Sequence, residues 1–172
     1  ALAAAQAQPE DVLELVHGST TGTNALIERT GARVGLLTTE GFRDVLEIGR
    51  IMRPEAGLYD FSVDLPLPLV PRQLRLEARE RLDANGRALL PLDEASVVAA
   101  AEHFASLGVE AVAVCFLFSF VNPEHELRAA QILAERLPGV LISLSCRVCP
   151  EIREYERSST TVMNAYLTPV MA

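Results

Sequence analysis

The stretch His17-Gly18-Ser19-Thr20-Thr21-Gly22-Thr23-Asn24 gathers an imidazole, four hydroxyls, an amide and two glycines within eight residues. Glycine lets a backbone approach a ligand closely, and hydroxyls together with helix-start amides can hold an anion or a carbonyl. Thr20, Thr21, Thr23 and Asn24 are therefore candidate walls of a ligand cleft; the same residue types also cap helices and close turns. His17, at the end of a strand predicted over Asp11–Val16, suits a general base, a ligand contact or a hydrogen-bonded structural residue. Glu47, Arg50 and Arg53 recur every three positions and line one side of a helix end. They fit either the orientation of a ligand or a solvated ion-pair row.

Other strand ends repeat the first. Thr38 and Thr39, Ser119 and Asn122, and Ser143 and Ser145 each close an apolar run. In open parallel sheets, ligands bind outside the carboxyl ends of the strands, so these clusters belong together if the sheet is parallel.

Several tempting motifs fail. Gly18–Gly22 lacks the spacing and the lysine of a phosphate-binding P-loop, and its serine stands one position early for a nucleophile elbow. His125-Glu126 has no second histidine four residues on. Cys146-Arg147-Val148-Cys149 has no second cysteine pair to complete a structural zinc site, and Pro150 argues for extended backbone there. No metal ligands and no nucleophile are assigned. The charged run Glu151–Arg157 reads as a salt-bridged surface.

Composition bounds the rest. The chain has 172 residues, 49% of them apolar, and a formal net charge of −8. A core is expected; nucleic acid and anionic membranes are disfavoured as partners, because phosphates repel a net-acidic surface. All fifteen basic residues are arginine, which excludes Schiff-base and Walker-type lysine chemistry from this stretch. The longest apolar run, Ala111–Phe118, is far short of the roughly 20 residues a bilayer needs. Three sparse cysteines point to a reducing compartment, hence the cytoplasm.

The elements that must position these groups alternate. Residues 1–52 read as a strand-helix-strand-helix segment, with a helix over Ala25–Thr30 stopped by Gly31, a strand over Val34–Leu37, and a helix carrying Phe42, Val45 and Leu46. Residues 53–92 are a Pro-rich segment followed by a hairpin, in which Leu74, Leu76 and Ala78 alternate with charge and Ala88–Leu90 returns after Asn85-Gly86. Residues 93–172 form a βαβ segment. Here a helix runs from the Asp93 cap to Leu107, a strand covers Val109–Phe118, and a helix opens at Asn122-Pro123. A strand over Val140–Leu144 follows, then a helix capped near Ser158 or Ser159. The fold class is α/β, with a largely parallel sheet flanked by helices.

Three segments together resemble one family: His17–Arg29, Val34–Arg50 and Pro150–Leu167. The chain is similar, from about Val12 to Leu167, to the hydantoinase A, 5-oxoprolinase and acetone carboxylase β-subunit group. That resemblance implies part of an actin-like, ribonuclease-H-like ATPase lobe with one inserted β-hairpin. It implies use of ATP and Mg²⁺ to phosphorylate and open a lactam or hydantoin ring, with His17, Glu47, Arg50 and Arg53 orienting the substrate or its phosphorylated form. The implied partners are the remaining lobe of the same polypeptide, a second (B-type) subunit or domain, and a small cyclic amide. Two alternatives stand beside it: an acetone-carboxylase-type β subunit, and a non-catalytic subunit-docking module of the same fold. The family's Asp-x-Gly-Gly-Thr phosphate loop would precede Ala1 and its second lobe would follow Ala172, so the chain is expected to fold without turning over ATP alone. Ser19 replaces the usual threonine, and Cys146-Arg147 stands where serine or histidine with glutamate is common.

Overall fold

The computed structural model describes residues 20–51 and 67–171. In chain order the strands are β1 (Val34–Thr39), β2 (Arg75–Ala78), β3 (Arg81–Leu82), β4 (Ala88–Leu90), β5 (Ala111–Cys115) and β6 (Leu141–Leu144). The helices are α1 (Thr21–Glu28), α2 (Val45–Ile48), α3 (Glu94–Ser106), α4 (Glu124–Arg136), α5 (Ser145–Val148) and α6 (Glu154–Met171).

Four strands make one sheet in the order β2-β1-β5-β6, and every pairing is parallel: Leu36 opposite Arg75, Val34 opposite Ala111, Ala111 opposite Leu141. Parallel strands need crossovers that cover both faces, which is why β1 and β5 are buried along their whole length. The crossovers through α3 and α4 step across the sheet in the same direction, so a common right hand brings those helices to one face, in contact with each other. From the other face α6 packs on β5 and β6, with α1, α2 and α5 against it. Val34, Leu36, Leu37, Val112, Val114, Phe104 and Leu133 form the centre of the core. At Gly35 the core is tight: a Cβ would stand 2.5 Å from the Phe104 ring, so β1 needs glycine there for α3 to sit down.

Local chemistry explains most element ends. Asp93 accepts a hydrogen bond from the Ala95 amide, 3.1 Å, at the start of α3. After its last turn Gly108 takes φ +63°. Asn122 Oδ1 receives the Glu124 amide at 3.0 Å, the bond an N-cap ahead of Pro123 makes, and the regular turns of α4 run from Glu124.

Several expectations are corrected. The first helix runs Thr21–Glu28 and is closed by Arg29 in a left-handed conformation, not by Gly31. Gly31 instead makes room for an aromatic ring, since a Cβ there would lie 2.1 Å from the Tyr166 ring. The helix expected from Phe42 contracts to the single turn Val45–Ile48, because Gly49 and Arg50 both have positive φ. Leu74–Ala78 does not pair with Ala88–Leu90; β2 joins the main sheet beside β1, and β3 is the hairpin partner of β4. Arg75 is consequently buried rather than outward, donating to Val70 O at 2.9 Å and to Glu47 at 2.7 Å. β5 ends at Cys115 because Phe116–Ser119 turns away from the sheet. Cys146–Val148 lies in the helical turn α5 rather than in extended backbone. The last helix starts at Glu154, which puts Ser158 inside it and Arg157 in the interior. The expected strand Asp11–Val16 lies outside the described residues, as do His17, Ser19, Arg53 and most of the Pro-rich segment.

Candidate functional site

The carboxyl ends of β1, β2, β5 and β6 surround a buried polar cluster built on the loop after β5. Glu126, in the first turn of α4, is fully buried. Its Oε1 accepts the Phe116 amide at 2.9 Å and Ser145 Oγ at 2.6 Å; its Oε2 accepts the Cys146 amide at 2.9 Å. Burying a carboxylate is costly unless donors replace water, and three donors do so here. Ser145 Oγ also lies 3.1 Å from Ser119 Oγ. One side chain thus ties α4 to the ends of β5 and β6.

A second chain of contacts starts at β1. Thr39 Oγ1 donates to Glu80 Oε1 and receives the Leu117 amide at 3.0 Å. Glu80 is buried, and its other oxygen lies 2.8 Å from His125 Nδ1. A carboxylate in that position orients the imidazole ring and fixes which nitrogen faces outward. Thr38 Oγ1 donates to Cys115 O at 2.9 Å and completes the tie between β1 and β5.

Arg157, from the first turn of α6, reaches the same loop. Nη2 donates to Phe116 O at 2.6 Å, and the guanidinium lies 5.2 Å from the centre of the Phe120 ring. The residue is only 1% exposed, yet Nε and Nη1 have no hydrogen-bond acceptor. Between these anchors Phe118 has φ +56°, a conformation a bulky side chain rarely adopts. Burial pushes the Cys115 thiol up. Burial, then the Glu126 carboxylate, push Cys146 up to about 12, so neither thiol is a nucleophile in this setting.

The residues singled out in the sequence fall into two groups. Glu47 and Arg50 lie at the carboxyl side: Glu47 pairs with Arg75 at 2.7 Å, and Arg50 pairs with Glu156 in the first turn of α6. Asp44 belongs to this network; its hydrogen bonds with Arg72 hold its carboxyl below the usual carboxylate range. Thr20, Thr21, Thr23 and Asn24 lie at the start of α1, on the outside of the molecule. The neighbouring Gly22 faces Leu167 and Met171, near the far end of α6. No side-chain cap bond forms at Thr20. From Glu156 to Leu167 is eleven residues of helix, or about 16 Å at 1.5 Å per residue. The two groups are therefore not brought together by the described residues.

Glu80, Glu126 and Arg157 carry the cluster and are not legible as functional in the sequence. Glu126 stands out there only inside a failed zinc motif, and Arg157 only as the end of a charged run. Charge at Arg157, followed by the apolar spacing of Val162, Ala165 and Tyr166 on the buried face of α6, is the signal that places it inward. Among the described residues no group of three or more His, Cys, Asp or Glu side chains could hold a metal ion. No helix among them is long and apolar enough to cross a membrane.

A parallel sheet flanked by helices, with polar groups collected at the strand ends, is here a lobe of the actin-like ATPase fold. The structure matches the ATP-dependent caprolactamase of Pseudomonas jessenii with TM-score 0.84 and 43% identity, over 99% of this chain and 25% of that one. It matches acetone carboxylase, in a nucleotide-free structure, with TM-score 0.86 and 26% identity, over 98% of this chain and 26% of that one. In sequence it is 45% identical to caprolactamase subunit alpha of P. jessenii over 156 residues, 91% of this chain and 22% of that protein. It is 38% identical to the acetophenone carboxylase gamma subunit of Aromatoleum aromaticum over 90% of this chain and 23% of that subunit. The model of the hydantoinase/oxoprolinase N-terminal region matches residues 1–137, and the chain belongs to that family. It spans about a quarter of the length of these relatives.

Proposed function

We propose that the whole protein is an ATP-dependent hydrolase that opens a cyclic amide, a lactam or a hydantoin, and that this chain supplies part of its N-terminal lobe. The carrying observation is the 45% identity, over 91% of the chain, to the alpha subunit of a caprolactamase. An amide resists water because nitrogen donates into the carbonyl. Transfer of the γ-phosphoryl group of ATP to the amide oxygen gives ADP and an O-phosphorylated imidate whose carbon is more electrophilic. Water then adds at that carbon, the C–N bond breaks with the nitrogen leaving protonated, and a second water releases inorganic phosphate from the resulting acyl phosphate to give an amino acid or carbamoyl amino acid.

In this reading Thr20, Thr21, Thr23 and Asn24 wall the nucleotide side of the cleft through hydroxyls and helix-start amides. Glu47 and Arg50, with His17 and Arg53, orient the amide or its phosphorylated form. Mg²⁺ accompanies ATP, but the described residues offer no ligand cluster for it, so no metal ligand is assigned to them. The other lobe and a second subunit complete a cytoplasmic enzyme.

The test is ATP turnover by the full-length protein with its partner subunit, assayed with caprolactam, hydantoin and 5-oxoproline. ADP release that requires one of these compounds supports the hydrolase. The relation to the acetophenone carboxylase gamma subunit favours a second reading, ketone carboxylation. It predicts ADP release that requires a ketone and bicarbonate. A docking module of the same fold predicts neither.

A further inference from the structure

Arg157 is the one described arginine whose guanidinium nitrogens include two that are buried without an acceptor. A buried donor normally finds a partner, and a cation more so, because the cost of an unmade bond is greatest for charge. Two carboxylates of the same region are committed elsewhere. Glu126 spends both oxygens on Phe116, Ser145 and Cys146. Glu156 turns instead to Arg50, and its second oxygen is itself buried without a partner. Over the guanidinium, 5.2 Å from it, stands the face of Phe120, a partly exposed ring set 6.1 Å from that of Phe118, whose backbone is in the left-handed region. A cation held by an aromatic face and one carbonyl, under a strained loop, is arranged to exchange the ring for a better acceptor.

We infer that Arg157 is an oxyanion receptor: rotation of Phe120 off the guanidinium admits a phosphate-class group to its free N–H donors at the carboxyl end of β5. The site rests on the ATP-using reading only for the choice of phosphate.

The experiment places 4-fluorophenylalanine at position 120 of the full-length protein and follows its ¹⁹F resonance during titration with inorganic phosphate at constant ionic strength. The expected result is a saturable shift that chloride does not produce. Its apparent affinity falls at least about tenfold in Arg157→Gln, because a charge-assisted fork is lost. Arg157→Lys keeps the charge and serves if Arg157→Gln does not fold; it weakens the response and does not abolish it. An unmoved resonance, an equal response to chloride, or an unchanged titration in the Arg157 variants overturns the site. ATP turnover with cyclic amides is measured on the same samples. Turnover without a phosphate response overturns the site alone; a response dependent on Arg157 without turnover supports the site and overturns the hydrolase reading.

Discussion

At the scale of single residues, the site is organised by charges taken out of water. Glu126 replaces its hydration with three donors, one from the loop after β5 and two from α5. Glu126→Ala leaves the Phe116 and Cys146 amides and Ser145 Oγ without their acceptor. The expected loss of stability is on the order of 3 kcal/mol, read by urea unfolding. Glu126→Gln is expected to cost less than Glu126→Ala, since one acceptor oxygen survives. Cys146 gives a pH prediction. With its thiol pushed up to about 12 by burial and by Glu126, the folded protein holds that proton more tightly than the unfolded chain does, where the value is near 9. The resulting stability is complete below pH 9 and lost as pH rises from 9 towards 12. Iodoacetamide should accordingly modify Cys146 at pH 8 much more slowly in the folded protein than in urea, because the thiolate fraction at that pH falls. Mass spectrometry of the labelled peptide checks this; equal rates would remove the carboxylate and burial from the explanation. None of this is readable from residue type. Glu126 and Arg157 look like surface charges until the helix face they occupy is known.

At the scale of elements, the order of strands and helices after residue 93 is legible in the sequence, because apolar runs there alternate with caps and turns, whereas the end of β5, the turn α5 and the start of α6 are not. The region before the hairpin misleads. Arg75 sits among alternating apolar residues, so β2 looks like a half-exposed hairpin strand. Its partner β1 ends at Thr39, far back along the chain, and a local pattern cannot report a parallel pairing at that distance. The close approach of α3 to β1 is equally hidden, though its signature, Gly35 in mid-strand, is present. Gly35→Ala would drive a methyl into the Phe104 ring and is expected to cost about 1–3 kcal/mol. Phe104→Leu makes room, so the double variant should be less destabilised than the sum of the singles; strict additivity in thermal unfolding would show that the two residues are not in contact. The hairpin offers a parallel case. Gly86 has φ +77°, a Cβ there would stand 3.1 Å from Val121 and Asn122, and its carbonyl receives Asn122 Nδ2 at 2.9 Å. Gly86→Ala therefore strains the turn and the loop after β5 together, and should lower the melting temperature more than Gly108→Ala, where no atom lies within 4 Å.

At the scale of the molecule, α6 is the ruler. Arg157 near its start holds the carboxyl end of β5 through Phe116 O, and Tyr166 near its end receives the Ala32 amide ahead of β1. The helix thus runs against the strands from their carboxyl ends to their amino ends. Glu47 and Arg50 belong to its first turns, and the Thr20–Asn24 segment to its last, about 16 Å along the axis. A single small amide cannot span that length, whereas a nucleotide is a long ligand with chemically different ends. On the proposed hydrolase reading, the two groups should therefore separate kinetically in the full-length protein. Thr23→Ala removes a hydroxyl that this reading sets on the nucleotide side, and is expected to raise KM for ATP severalfold with the KM for the amide unchanged. Arg50→Gln breaks the pair with Glu156 and is expected to raise KM for the amide, or lower kcat, with the KM for ATP unchanged. Steady-state kinetics with each substrate varied in turn reads both. If both variants shifted the same constant, one common subsite would hold the two groups. A shift in neither would mean that Thr23 caps a helix and Arg50 anchors α6, with the ligands bound elsewhere.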